Sequence, residues 1–169
     1  MKKNLFCCLV TLVIFQLIFA DRSFAQHAPV RQNGAGSDYE TAFGLRIEFG
    51  DRYGTWAGPS IKHFFSDNDV AEGMLLFGPN DVILGAEYQY HGDVTNAPGL
   101  KWYIGFGAAY AFGTNNTESD FLIRPVFGLD YKITDVPINF TFDWRPAYVV
   151  THGTDFNAAR FSFALRYAF

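Results

Sequence analysis

The stretch "NAARFSFALRYAF", residues 157–169, decides how the rest of the chain is read. Ala159, Phe161, Phe163, Leu165, Tyr167 and Phe169 alternate with Arg160, Ser162, Ala164, Arg166 and Ala168. A period of two places successive side chains on opposite faces of a β-strand. One face of this strand is large and apolar, while the other is small or charged. The last residue, Phe169, belongs to the apolar face, whereas the ends of soluble domains usually fray into polar residues.

The same alternation recurs upstream. Tyr39, Phe43, Leu45, Ile47 and Phe49 oppose Glu40, Ala42, Gly44, Arg46 and Glu48. Weaker segments over 55–65 and 70–78 follow, then Val82 to Tyr90 against Gly85, Glu87, Gln89 and His91. "LKWYIGFGAAYAF" (100–112), 121–132 and "PINFTFDWRPAY" (137–148) repeat the pattern. Turn residues such as "DRYG", "SDND", "GPND" and "TDVP" separate the segments. Residues 38–169 therefore predict eight strands with short connections, which suit antiparallel neighbours. The fold class expected is all-β, an eight-stranded antiparallel up-and-down barrel.

The N-terminal part reads differently. Lys2 and Lys3 precede an apolar run from Leu5 to Phe19, and Ser23-Phe24-Ala25 carries small residues at a cleavage position. The run is shorter than the ~20 residues of a spanning helix, so residues 1–25 are read as a secretory signal peptide cut after Ala25. Residues 26–37, "QHAPVRQNGAGS", are read as a flexible lead. Cleavage would remove Cys7 and Cys8, leaving no disulfide in the exported chain. It would also remove Lys2, Lys3, Arg22 and Asp21, which leaves 10 basic and 16 acidic residues and a net charge of −6. That balance argues against nucleic acid as a partner.

Which face points outward follows from size. The charged face holds Gly44, Gly105, Gly107, Gly128, Ala109, Ala111 and Ala164, which suit the crowded inside of a narrow barrel. The apolar face is too bulky for that interior. Its aromatic residues cluster toward strand ends, at Tyr39, Phe49, Phe65, Trp102, Phe112, Phe121, Tyr131, Tyr148, Phe161 and Phe169, as in the girdles of transmembrane barrels. With the apolar face outward, the lumen is expected to hold Arg46, Lys62, Lys101, Arg124, Lys132, Arg145, Arg160 and Arg166 against Glu40, Glu48, Glu72, Glu87, Asp130 and Asp143. Eight charges against six approach balance, which favours a closed, charge-paired core over a substrate path.

Phe161, Phe163, Leu165, Tyr167 and the terminal Phe169 resemble the C-terminal signature of bacterial outer-membrane β-barrel proteins, which the barrel-insertion machinery recognises. The strand blocks at 100–112 and 137–148 also look like the small barrels common in Bacteroidetes. The resemblance implies an outer-membrane location and this fold; the reading that follows is a monomer in contact with outer-membrane lipid and lipopolysaccharide, with a structural or lipid-interacting role in the envelope. It implies no cofactor and little chemistry.

Some barrels of this kind modify lipid A with a His and a Ser, so the histidines bear on an enzymatic reading. His27 falls in the lead, His63 and His91 near strand ends, and His152 in the last loop beside Thr151 and Asp155. No His-x-Ser arrangement occurs, and a polar loop of His, Thr and Asp reads first as a solvated turn. The loop acids follow no calcium-loop spacing. No catalytic or metal-binding residue is assigned. The pattern also admits a narrow solute pore, or a secreted soluble barrel with a ligand inside, and the soluble barrel requires the opposite facing of the apolar residues.

Overall fold

The computed structural model describes residues 39–50, 54–114, 117–151 and 155–169. The signal peptide and lead expected over 1–37 lie outside the described residues, as does His152. Ten strand segments form one closed antiparallel sheet: β1 (Thr41–Gly50), β2 (Trp56–Phe64), β3 (Asp69–Phe77), β4 (Asp81–Asp93), β5 (Leu100–Gly113), β6 (Asp120–Lys132), β7 (Ile138–Trp144), β8 (Ala147–Val149), β9 (Asp155–Asn157) and β10 (Arg160–Ala168). No helix occurs among the described residues. The strands β1 to β6 pair with their sequence neighbours, and β1 closes the barrel on β10 through Phe43↔Tyr167 and Leu45↔Leu165.

The ten segments make eight staves. β8 continues β7 along β6 beyond Arg145 and Pro146, where a residue without an N–H interrupts the ladder. The stave of β9 and β10 is bulged between its two segments. Trp144 pairs with Phe161 and Ala147 with Asn157, so three steps on one side face four on the other. Ala158 and Ala159 are both exposed there, and Asn157 and Arg160 both point inward. The extra residue lets the alternation survive on either side of it.

A second departure lies at the start of β1. The amides of Glu40 and Thr41 both donate to the Phe169 carbonyl, at 3.2 and 2.9 Å, which is the signature of a bulge. It corrects the expected facing of two residues. Tyr39 is buried in the lumen, and Glu40 is exposed and does not belong to the inner charge set.

The stagger of the strands sets the bore. A row of paired residues from Phe43 runs through Ile61, Gly73, Ala86 and Ala108 to Ile123 on β6. In the other direction it runs through Tyr167 and Ile138 to Ile133, whose amide donates to the Ile138 carbonyl. The ten-residue offset between Ile123 and Ile133 is the shear of an eight-strand barrel whose interior is filled by side chains. Close approach inside needs glycine at selected places. A Cβ at Gly128 would lie 2.5 Å from Asp143 Cβ and 2.8 Å from the Tyr103 ring.

Large apolar side chains face outward all round. Leu45 is 65 % exposed, Phe106 57 % and Phe127 53 %, whereas Arg46, Arg145 and Arg160 are 0 % exposed. In water this distribution would be inverted relative to any stable soluble domain, because apolar burial drives folding there and unpaired buried charge opposes it.

Candidate functional site: the lumen and the rim

The chain enters and leaves the barrel at one end, beside Tyr39 and Phe169, here called the terminal end. The connections from β1 to β2, β3 to β4, β5 to β6 and β8 to β9 belong to the opposite, distal end. From distal to terminal, the lumen has three layers.

At the distal end, Trp56, Met74, Leu76, Ile83, Ala109, Ala111, Leu122 and Val149 pack into a buried apolar cap. Ala109 and Ala111 were expected on the inner face, but nothing in the residue alternation set the others apart, because large apolar residues there interrupt the charged pattern. At the terminal end, Tyr39, Ala42, Phe64, Val70 and Ala168 form a second apolar cluster. Tyr39 meets the Phe64 ring edge-on at 5.0 Å, and Phe64 in turn meets His91 at 5.1 Å.

Between the caps lies a network of charges. Glu72 accepts from Arg46 Nε at 3.0 Å and Nη2 at 2.6 Å, from Gln89 at 2.9 Å, and from Arg166. Arg46 also reaches Asp143 at 3.2 Å and the Ser162 hydroxyl at 2.6 Å. Asp143 accepts from Arg145 Nε at 2.7 Å and from the Tyr103 hydroxyl at 2.6 Å. Arg145 grips Glu87 with two nitrogens at 2.6 and 3.0 Å, the bidentate geometry that makes such pairs strong. Arg124 pairs with Glu48, and Arg160 lies 4.0 Å from Glu48 with its guanidinium 3.5 Å above the Trp56 ring.

Toward the terminal end a separate group centres on Asp130, which accepts from Lys62 at 2.7 Å, from the Tyr39 hydroxyl at 2.9 Å and from Asn139. His91 stacks on Tyr103 at 4.8 Å, and its Nε2 lies 2.9 Å from Gln89 Oε1. Lys62 sits 4.8 Å above the centre of the same Tyr103 ring.

Of the fourteen charged residues expected inside, Arg46, Glu48, Lys62, Glu72, Glu87, Lys101, Arg124, Asp130, Asp143, Arg145, Arg160 and Arg166 are buried. Glu40 is exposed at the bulge. Lys132 is half-buried at the terminal end, where it donates to the Ile133 and Val136 carbonyls at 3.0 and 2.7 Å. Lys101 pairs with the half-exposed Asp93 at the rim. Sequence reasoning missed the neutral members, Tyr39, Ser60, Tyr103, Asn139, Thr141 and Ser162, because no charge flagged them. Their position on the inner face was the available signal for all but Tyr39, which the alternation places on the outer face.

The outer surface is almost wholly apolar or aromatic. Among the described strand residues, the outward positions with polar side chains other than Tyr and Trp are Thr41, His63 and Asp69, all at the terminal end of β1, β2 and β3. His63 Nδ1 lies 2.9 Å from Thr41 Oγ1, and the His63 ring packs edge-on against Phe65. Asp69 accepts from Ser66 Oγ and from the Tyr88 hydroxyl. Phe161, Phe163, Leu165, Tyr167 and Phe169 all face outward on the closing stave. No group of three or more His, Cys, Asp or Glu side chains suited to a metal ion occurs among the described residues.

No protein-family model matches the chain, and no curated protein does. Among solved structures, the chain is similar to the N-terminal β-barrel domain of Pseudomonas aeruginosa OprF, with a TM-score of 0.58 and 15 % identity over 76 % of this chain and 98 % of that one. Neisserial surface protein A aligns over 81 % of this chain and all of that one, with a TM-score of 0.46 and 16 % identity. The OprF comparison shows a shared fold, that of a small closed β-barrel.

Proposed function

We propose that this protein is a barrel of the bacterial outer membrane with a structural, non-catalytic role in the envelope. The observation that carries the reading is the inverted surface: large apolar side chains outside a closed barrel, ionised side chains paired within it. Only a solvent as apolar as lipid makes that distribution favourable, since closed barrels satisfy every backbone group without water. The signal-peptide pattern of residues 1–25 supplies the export step, and the outward Phe161, Phe163, Leu165, Tyr167 and Phe169 supply the strand that barrel-insertion machinery would read. Outer-membrane phospholipid and lipopolysaccharide are the surroundings it would contact, as a monomer.

The apolar caps weigh against a pore. Buried clusters at both ends flank the ionic layer, so a hydrated ion moving along the axis would have to shed water against aliphatic side chains. An enzyme would need a base held against a nucleophile where water is excluded from the bond to be broken, and the Thr41–His63 pair lies on the outer face at the terminal end of its strands.

Fractionation of the native host, followed by electrophoresis of the membrane pool with and without boiling, tests the reading. An outer-membrane band whose mobility changes on heating is the expected result. Recovery as a soluble periplasmic protein overturns it. Planar-bilayer recordings should then show no discrete conductance steps, and steady steps would restore the pore.

A further inference from the structure

We infer that the outer face of β1 to β4 holds one lipid molecule in a defined pose, a glycerophospholipid with an ethanolamine head group. The inference rests on the membrane reading above and deepens it. It begins from an unevenness in the apolar surface. Phe43, Pro59, Ile61, Leu75 and Leu84 line a groove on this face, to which Gly73 contributes no side chain. The row through Gly73 continues to Ala86 and Ala108 on the next two strands, so small side chains occupy three adjacent staves where bulky ones stand elsewhere. The groove is apolar and open to the side, the shape an acyl chain fills.

A groove alone would accept any chain. What selects a lipid is the order of groups along the barrel axis. One step toward the terminal end, about 7 Å along the strands, the row of Ile61 and Gly73 gives way to that of His63 and Ala71. There His63 is tied to Thr41 through Nδ1, which leaves Nε2 as the ring nitrogen available to a ligand. One further step brings Asp69, half-buried at the start of β3. Apolar trough, imidazole and carboxylate thus follow in the same order as acyl chain, phosphodiester and ammonium in phosphatidylethanolamine.

The chemistry of each contact is specific. When Nδ1 accepts from the Thr41 hydroxyl, Nε2 carries the proton and donates to a phosphate or ester oxygen. Asp69 is an anion that already accepts from Ser66 and Tyr88 and offers charge to a primary ammonium. A phosphatidylglycerol head lacks the ammonium, so nothing in it offsets the phosphodiester charge beside that carboxylate. The three polar residues are also confined to this sector, whereas the outward residues on β5, β6, β7 and β10 are apolar or aromatic along their whole length.

The test uses the full chain folded into phosphatidylcholine vesicles that contain a small fraction of phosphatidylethanolamine carrying a photoactivatable diazirine in its acyl chain. After illumination, labelled peptides are mapped by mass spectrometry. Labelling of peptides from β1 to β4 should exceed that of the β5 to β7 face several-fold. The excess should fall when the probe carries a glycerol head, and again in Gly73→Leu, which fills the trough, and in Asp69→Asn, which removes the charge. His63→Ala lies at the rim and tests the phosphate contact in a barrel that keeps its groove. Each variant is first shown to keep its heat-dependent mobility.

Even labelling around the barrel, or an excess indifferent to head group and to all three substitutions, overturns the site. An excess obtained only with a lipopolysaccharide probe overturns the choice of phospholipid. Absence of label on every face, with no heat-dependent mobility, marks failure of the membrane reading itself, which is a different result from even labelling.

Discussion

The distal cap and the ionic middle of the lumen sit a few ångströms apart on the same staves, and both exclude water by opposite means. Leu76 and Ile83 fill the distal end with shape, and neither asks anything of its neighbours beyond contact. Glu72, Arg46 and Asp143 fill the middle only in combination, because each ion is tolerable there through the others. An apolar plug degrades gradually as atoms are removed, whereas an ion network fails at the first missing partner. The middle of the barrel is therefore the more fragile region, even though its contacts are individually the stronger.

Glu72→Ala strikes the ionic middle at its centre and should have the largest effect. The substitution leaves Arg46 and Arg166 buried without their shared carboxylate, and a stranded buried charge costs about 3–5 kcal/mol. Unfolding by urea in lipid vesicles, followed by tryptophan fluorescence, should show a loss in that range. A loss under about 1 kcal/mol would mean that water reaches the middle layer and solvates the two arginines.

Leu76→Ala probes the cap. Removing a buried leucine side chain costs about 3 kcal/mol through lost transfer energy and the cavity left behind. The same urea titration should give a smaller shift than Glu72→Ala, and conductance should remain absent because the ionic layer still fills the bore. If Leu76→Ala were the costlier of the two, the apolar cap and not the network would be the element that holds the staves together.

Tyr103→Phe separates the network from its neutral supports. It keeps the ring that stacks on His91 and removes only the hydroxyl that donates to Asp143 at 2.6 Å. Asp143 retains Arg46 and Arg145, so the expected cost is about 1.5–2 kcal/mol, typical of a hydrogen bond to a charged group. Equality with the parent protein would show that the two arginines alone saturate that carboxylate.

Much of this layout is legible in the chain itself. The eight staves and their facing follow from a period of two and from the volumes of the two faces, which is why Arg46, Glu48, Asp143 and Arg145 could be placed inside from the residues alone. Partner choice was not legible. Arg46 meets Glu72 and Asp143, 26 and 97 residues away, because the ten-residue shear brings those positions to one height. The bulges at Glu40–Thr41 and Ala158–Ala159 were invisible for a related reason, since one extra residue changes facing without changing composition. Trp56, Leu76, Ile83, Leu122 and Val149 each interrupt the polar face of a different strand, and only closure of the barrel gathers them into one cap.

The smallest expected effect lies at the rim, where Lys101 pairs with Asp93. The Asp93 side chain is 47 % exposed, so water already solvates the carboxylate and the pair resembles a surface ion pair. Such pairs contribute about 0–1 kcal/mol and weaken as salt rises. Lys101→Ala should therefore cost at most about 1 kcal/mol at low ionic strength, and the difference from the parent should shrink further in concentrated KCl. The Glu72→Ala penalty should hardly move under the same salt, because the charges it strands are out of reach of solvent ions. A Lys101→Ala penalty that is large and independent of salt would extend the dry ionic layer to the terminal rim and move the boundary between the two regimes beyond Lys101.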